Sequence, residues 1–170
     1  LEKITPVYQM DSIQEVAKKI VTTAGKTLPV ADENDRLMGV ISIADLVPAL
    51  ISSRQRDYHD EIQIPVSNLL NVLQLNIIQG QIKEDIFKGN VYVFSDLTYY
   101  QRISKNGLII CNQNEYGTGF IFSLEPEYII VADVHDNTML KTMPDFKGVI
   151  FSSQKNIYEL VQAINLAMPI

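Results

Sequence analysis

The chain has a single cysteine among its 170 residues, Cys111. No internal disulfide can form, and a reducing compartment is the natural reading. Cys111 ends the apolar run Leu108-Ile109-Ile110, and neither histidine is near it in sequence, so a buried strand-end thiol is expected rather than a nucleophile. No apolar stretch approaches the roughly 18 residues that span a bilayer, and no basic stretch followed by an apolar core opens the chain. A cytoplasmic protein without a membrane partner is the expectation. Positive charge is short as well: 14 Lys and Arg against 20 Asp and Glu leave a formal net charge of −6. That balance argues against a surface that grips a nucleic-acid backbone. An anionic ligand stays possible, because helix N-termini and backbone amides hold phosphate without net positive charge. Neither common glycine-rich phosphate loop occurs, Gly117-Thr118-Gly119 being too short. No His-His dipeptide is present, and no serine or cysteine has a visible catalytic partner, so no catalytic residue is assigned.

What is present is ordinary globular material, 46% apolar and 20% charged, enough for one domain or two small ones. The first block opens with strand-like Thr5 to Tyr8. Ser12 and Glu15 then have the spacing of a capping box, and Ile13, Val16, Ala17, Ile20 and Val21 make a helical stripe that Gly25 is placed to end. Two strands joined by Asp32-Glu33-Asn34-Asp35 and a helix from Ser42 complete a β-α-β-β-α unit over residues 1–52. A polar stretch, 53–63, including His59, reads as a solvated linker. In the second block, 64–167, a stripe of Val66, Leu69, Leu70, Leu73 and Ile77 predicts a helix capped near Ser67. Strands are expected at Val91 to Ser95, Leu108 to Cys111, Tyr128 to Ala132 and Val149 to Ser152, with helical segments between them and a last helix on Ile157, Leu160, Val161 and Ile164. That alternation predicts an α/β fold with a mainly parallel sheet covered on both faces. Tyr99, Tyr100, Tyr116, Phe120 and Phe122 read as core or interface.

The string from Leu28 to Leu50 has an apolar strand, an acidic turn, a second strand through Gly39 and a helix opening at Ser42. This order resembles the second half of a CBS motif, and residues from Thr5 to about Leu50 resemble the whole motif. The second block is similar to the DRTGG domain through Ile64-Pro65-Val66-Ser67-Asn68-Leu69-Leu70, the strand ahead of Asn112 and the closing Ala167-Met168-Pro169-Ile170. Where that family shows Gly-Asp-Arg, this chain has Asn112-Gln113-Asn114-Glu115. Residues 168–170 match the opening of a second CBS motif, so the chain is expected to be an excised fragment. The combination resembles the regulatory region of CBS-containing family II inorganic pyrophosphatases.

The resemblance implies a non-catalytic module that senses adenine nucleotides for attached catalytic domains. AMP and ADP would inhibit the parent enzyme, and ATP or diadenosine polyphosphates would activate it. The parent would use Mn2+ or Co2+ with Mg2+, while this chain would hold no metal, and a homodimer is expected. It further implies that the positions matching Ser42 and Asp45 hold phosphate and ribose, and that Thr27, Leu28 and Pro29 face the base. The residues also fit a plain reading, in which Ser42 and Asp45 only cap a helix. Lys26 and Arg36 could neutralise phosphate or simply be solvated. The alternatives from another class are a stand-alone CBS/DRTGG regulatory or scaffold protein, or a small α/β enzyme using Asp133-Val134-His135-Asp136. That loop follows a strand end and could bind a divalent metal or merely cap the next helix.

Overall fold

The computed structural model describes residues 4–23, 27–42, 44–46, 61–94 and 105–170. The expectations placed on Gly25, Lys26, His59, Tyr99, Tyr100 and the linker residues 53–60 lie outside the described residues. Within residues 4–46, β1 (Val7–Tyr8), α1 (Ile13–Thr22), β2 (Thr27–Ala31) and β3 (Leu37–Ser42) follow in order, and residues 44–46 are helical. The Ser12 hydroxyl accepts from the Glu15 amide at 3.2 Å and caps α1, the half of the expected capping box that is made. The acidic turn is organised by Asp32, whose Oδ1 accepts from the amides of Asn34 and Arg36, both at 2.9 Å. Val7, Ile13, Val16, Ile20, Leu28 and Leu46 bury their side chains together as a small core.

The second unit holds a five-stranded sheet in the order β5-β10-β9-β8-β7, formed by Asn76–Gln79, Val149–Ser152, Tyr128–Val131, Leu108–Cys111 and Val91–Val93. The β7–β8, β8–β9 and β9–β10 pairs are parallel, and β5 is antiparallel to β10. Strands β4 (Ile62–Pro65) and β6 (Ile86–Gly89) form a separate antiparallel ribbon. Side chains alternate across the sheet with period two. Leu108, Ile110, Tyr128, Ile130, Val149 and Phe151 face α2 (Val66–Leu73) and α4 (Ile157–Ala167). Ile109, Cys111, Ile129, Val131 and Ile150 face Tyr116 of α3 (Gln113–Gly117), Ile121, Val134 and Leu140. Burial on both faces explains why these strands read as continuous apolar runs rather than alternating ones.

Some expectations are corrected. Helix α2 stops at Leu73 because Gln74 turns left-handed (φ 55°, ψ 55°), so Ile77 belongs to a strand. Its cap is Pro65, not Ser67, and the Val66 amide is satisfied by the Asp85 carbonyl at 2.8 Å. Between β9 and β10 stands only a 3-10 turn, Asn137–Met139, where a helix was expected. Strand β9 ends at Val131, one residue short of the expected Ala132, and β7 ends at Val93. Phe120, expected in core or interface, is 46% exposed with its ring 6.3 Å from that of Phe94.

Tyr128 shows a local conflict between shape and polarity. It is 2% exposed, its ring lies 5.4 Å from both Phe87 and Phe151, and its buried hydroxyl has no partner among the described residues. Burial, with Glu127 and Glu84 adding negative charge nearby, pushes its phenol up to about 12. A buried hydroxyl without a partner costs about 1–3 kcal/mol. Tyr128→Phe is therefore expected to stabilise the chain by about 1 kcal/mol, read as a higher urea midpoint at unchanged slope. A lower midpoint would mean that the hydroxyl is satisfied.

The units meet through a built joint. The C-terminal Leu166, Met168 and Ile170 pack against the core of the first unit. The Ile13 amide donates to the Met168 carbonyl at 3.0 Å, and Ser12 forms an antiparallel bridge with Pro169. No helix among the described residues is long and apolar enough to cross a membrane.

Candidate functional site

Strand β3 delivers Ser42 to the head of the helical residues 44–46, and the chain then places Asp45 one turn on. Asp45 Oδ2 accepts from the Ser42 amide at 2.8 Å and from the Ser42 hydroxyl at 2.7 Å. Those two bonds, the hydroxyl first, hold the Asp45 carboxyl below its ordinary range, so it is a ready anionic acceptor near neutral pH. Both bonds fall on Oδ2, and Oδ1 accepts nothing from the described residues. A free carboxylate oxygen beside a hydroxyl and a helix start suits a vicinal diol with a nearby phosphate.

The antiparallel register of β2 and β3 sets Thr27 directly opposite Ser42, with Leu28 opposite Ile41 and Pro29 opposite Val40. Strand β1 reaches only Val30 and Ala31, so on that side Thr27, Leu28 and Pro29 pair with no described strand. Pro29 has no amide to leave unsatisfied there, which fits an open backbone edge. Leu28 is buried in the core, so only its backbone can face a ligand. A Cβ added at Gly39 would meet nothing within 4 Å, so no close approach among the described residues requires that glycine.

The other candidate positions do not assemble a second site. Asn112 and Glu115 form a capping box, Asn112 Oδ1 accepting from the Glu115 amide and Glu115 Oε2 from the Asn112 amide, both at 2.8 Å. Where the Gly-Asp-Arg signature would stand, Asn112 and Glu115 thus turn onto their own backbone, and Gln113 Nε2 donates to the Asp133 carbonyl at 2.9 Å. Asp133 adopts φ 58° and its Oδ1 lies 3.1 Å from His135 Nε2, while Asp136 caps the Thr138 amide at 2.9 Å. Among the described residues, no group of three or more His, Cys, Asp or Glu is placed to hold a metal ion. Cys111 is fully buried, and burial pushes its thiol well above the ordinary range, as suits a packing residue. A cleft of about 630 Å³ opens between Phe122–Pro126 and Met143–Gly148, and none of the expected site residues lines it. Sequence reasoning did not single out Asn68 for a role of its own, although it is buried and bonds to two other segments of the chain.

The chain has an α/β fold, a strand-strand-helix unit followed by a domain with a mainly parallel sheet, and its residues 2–52 match the family model described as CBS domain. The chain also superposes on the crystal structure of the CBS and DRTGG domains of the regulatory region of Clostridium perfringens pyrophosphatase, complexed with the activator diadenosine tetraphosphate. The match has a TM-score of 0.78 at 17% sequence identity, over 99% of this chain and 75% of that one. No curated protein matches the chain significantly in sequence.

Proposed function

We propose that this chain is a non-catalytic regulatory module that binds an adenine nucleotide and reports its presence to attached inorganic pyrophosphatase domains. The carrying observation is the Ser42–Asp45 pair at a helix start with Thr27 across from it, inside the segment that matches the CBS domain. Diadenosine tetraphosphate in the structurally similar pyrophosphatase region supports the choice of ligand class. Asp45 would accept from the ribose hydroxyls, Ser42 and its amide would meet phosphate, and the open edge of Thr27 to Pro29 would face the base. Any Mn2+ or Co2+ would belong to the catalytic domains of the parent enzyme. Nucleotide would shift the balance between relative placements of CBS motifs, favouring inhibition with AMP or ADP and activation with ATP or diadenosine polyphosphates.

The module would work as a pair of chains. Leu37, Met38 and Val40 on strand β3 are 70%, 56% and 70% exposed. Among the described residues strand β3 lies at the edge of its sheet, where exposed apolar side chains favour a partner. A second copy covering this strand would also complete the cleft around the nucleotide.

Calorimetric titration with AMP, ADP, ATP and diadenosine tetraphosphate, with light scattering on the same samples, tests the reading. Saturable binding of at least one nucleotide by a dimer is expected. A strict monomer at high micromolar concentration would remove the pairing, and no heat with any of the four would remove the nucleotide role.

A further inference from the structure

We propose that Asn68 is a positioning residue that couples the Ser42–Asp45 site to the α/β domain, an inference that rests on the nucleotide reading above. Asn68 lies on α2, is 7% exposed, and donates from Nδ2 to the Met10 carbonyl and to the Ala167 carbonyl, both at 3.1 Å. One carboxamide thus holds the loop before α1, the end of α4 and its own helix together. Its two N–H groups point to two backbone carbonyls that belong to different units of the chain.

The site has a route to this joint. In the structure Asp45 Oδ2 holds the Ser42 amide and hydroxyl. A ribose diol donating to the free Oδ1 would tie the ligand to the same carboxylate that holds the helix start. The next residue, Leu46, is 3% exposed and packs with Val7, Ile13, Val16, Ile20 and Leu28, the cluster that also receives Leu166, Met168 and Ile170. A close-packed core does not absorb a shift at one side chain without moving its neighbours. Met168 in turn accepts from the Ile13 amide, one residue beyond the Ala167 carbonyl that Asn68 holds. Asn68 therefore makes a movement of the first unit into a movement of α2 and α4, which cover one face of the sheet. The element on which both ends of this route bear is the Asp45 carboxylate, bonded to Ser42 alone without ligand and to Ser42 and ligand together when it is bound.

Hydrogen exchange with and without excess diadenosine tetraphosphate tests this on the parent chain and on Asn68→Ala and Asn68→Asp. The second variant keeps the side-chain size and replaces the two donors by acceptors. In the parent, ligand is expected to slow exchange at residues 27–46, at the Ile13 amide and across residues 66–73. In both variants the slowing at 27–46 is expected to persist while that at 66–73 is lost. Slowing at 66–73 retained in a folded variant, or slowing in the parent confined to 27–46, overturns the coupling role and leaves the nucleotide role standing. No slowing anywhere in the parent overturns both. Should either variant fail to fold, Asn68→Leu, which fills the same space without donors, carries the same expectation.

Discussion

Asp45→Asn is expected to weaken adenine-nucleotide binding by about 10- to 100-fold while leaving the fold intact. A hydrogen bond to a charged group contributes about 1.5–3 kcal/mol, and each 1.4 kcal/mol is roughly a tenfold change in affinity. The amide of asparagine keeps an oxygen that can accept from the Ser42 amide at the position now held by Oδ2, so the helix start survives. What it loses is the charge and the second acceptor, Oδ1, which the described residues leave free. Ser42→Ala is expected to act differently, because the Ser42 hydroxyl supports Asp45 at 2.7 Å as well as facing the ligand. Titration calorimetry on both variants reads the two effects. Asp45→Asn binding as tightly as the parent would reduce the pair to a helix cap.

Phe151→Ala is expected to cost about 4 kcal/mol, as full truncation of a buried aromatic typically does. Phe151 is 1% exposed in the middle of β10, packed edge-on against Tyr128 at 5.4 Å and within the cluster that α2 and α4 cover. Against total stabilities of about 5–15 kcal/mol, such a loss is a large fraction. Thermal unfolding should fall by roughly 10 °C. The first unit should follow, because Leu166, Met168 and Ile170 close its core from the end of α4. A fall of less than about 1 kcal/mol would mean that this face of the sheet is not tightly packed.

How much of this was legible in the sequence follows from which signals are local. Ser12 caps α1 through the amide three residues on, so short-range spacing reveals it, whereas the same spacing of Asn156 and Glu159 at the start of α4 went unread. The runs Leu108 to Cys111, Tyr128 to Val131 and Val149 to Ser152 announce buried parallel strands because both of their faces are covered. Ile77 misled because it continues the helical phase of Leu69, Leu70 and Leu73, and the left-handed turn at Gln74 carries no glycine to announce it. The missing helix between β9 and β10 left no periodic signal to contradict the expectation. At the candidate site, the Ser42–Asp45 spacing was readable, but Thr27 standing opposite Ser42 is a matter of strand register. Asn68 was quoted only as part of a resemblance, since its partners lie 58 and 99 residues away.

The central claim is that Ser42 and Asp45, with the open edge across from them, hold an adenine nucleotide. Amide chemical-shift mapping of the isotopically labelled chain during titration with diadenosine tetraphosphate tests it most directly. The predicted result is a saturable set of shifts led by Thr27, Leu28, Ser42 and Asp45, and abolished together by Asp45→Ala. Shifts confined to Asn112–Glu115 and Asp133–Asp136, or a spectrum unmoved at millimolar ligand, would contradict it.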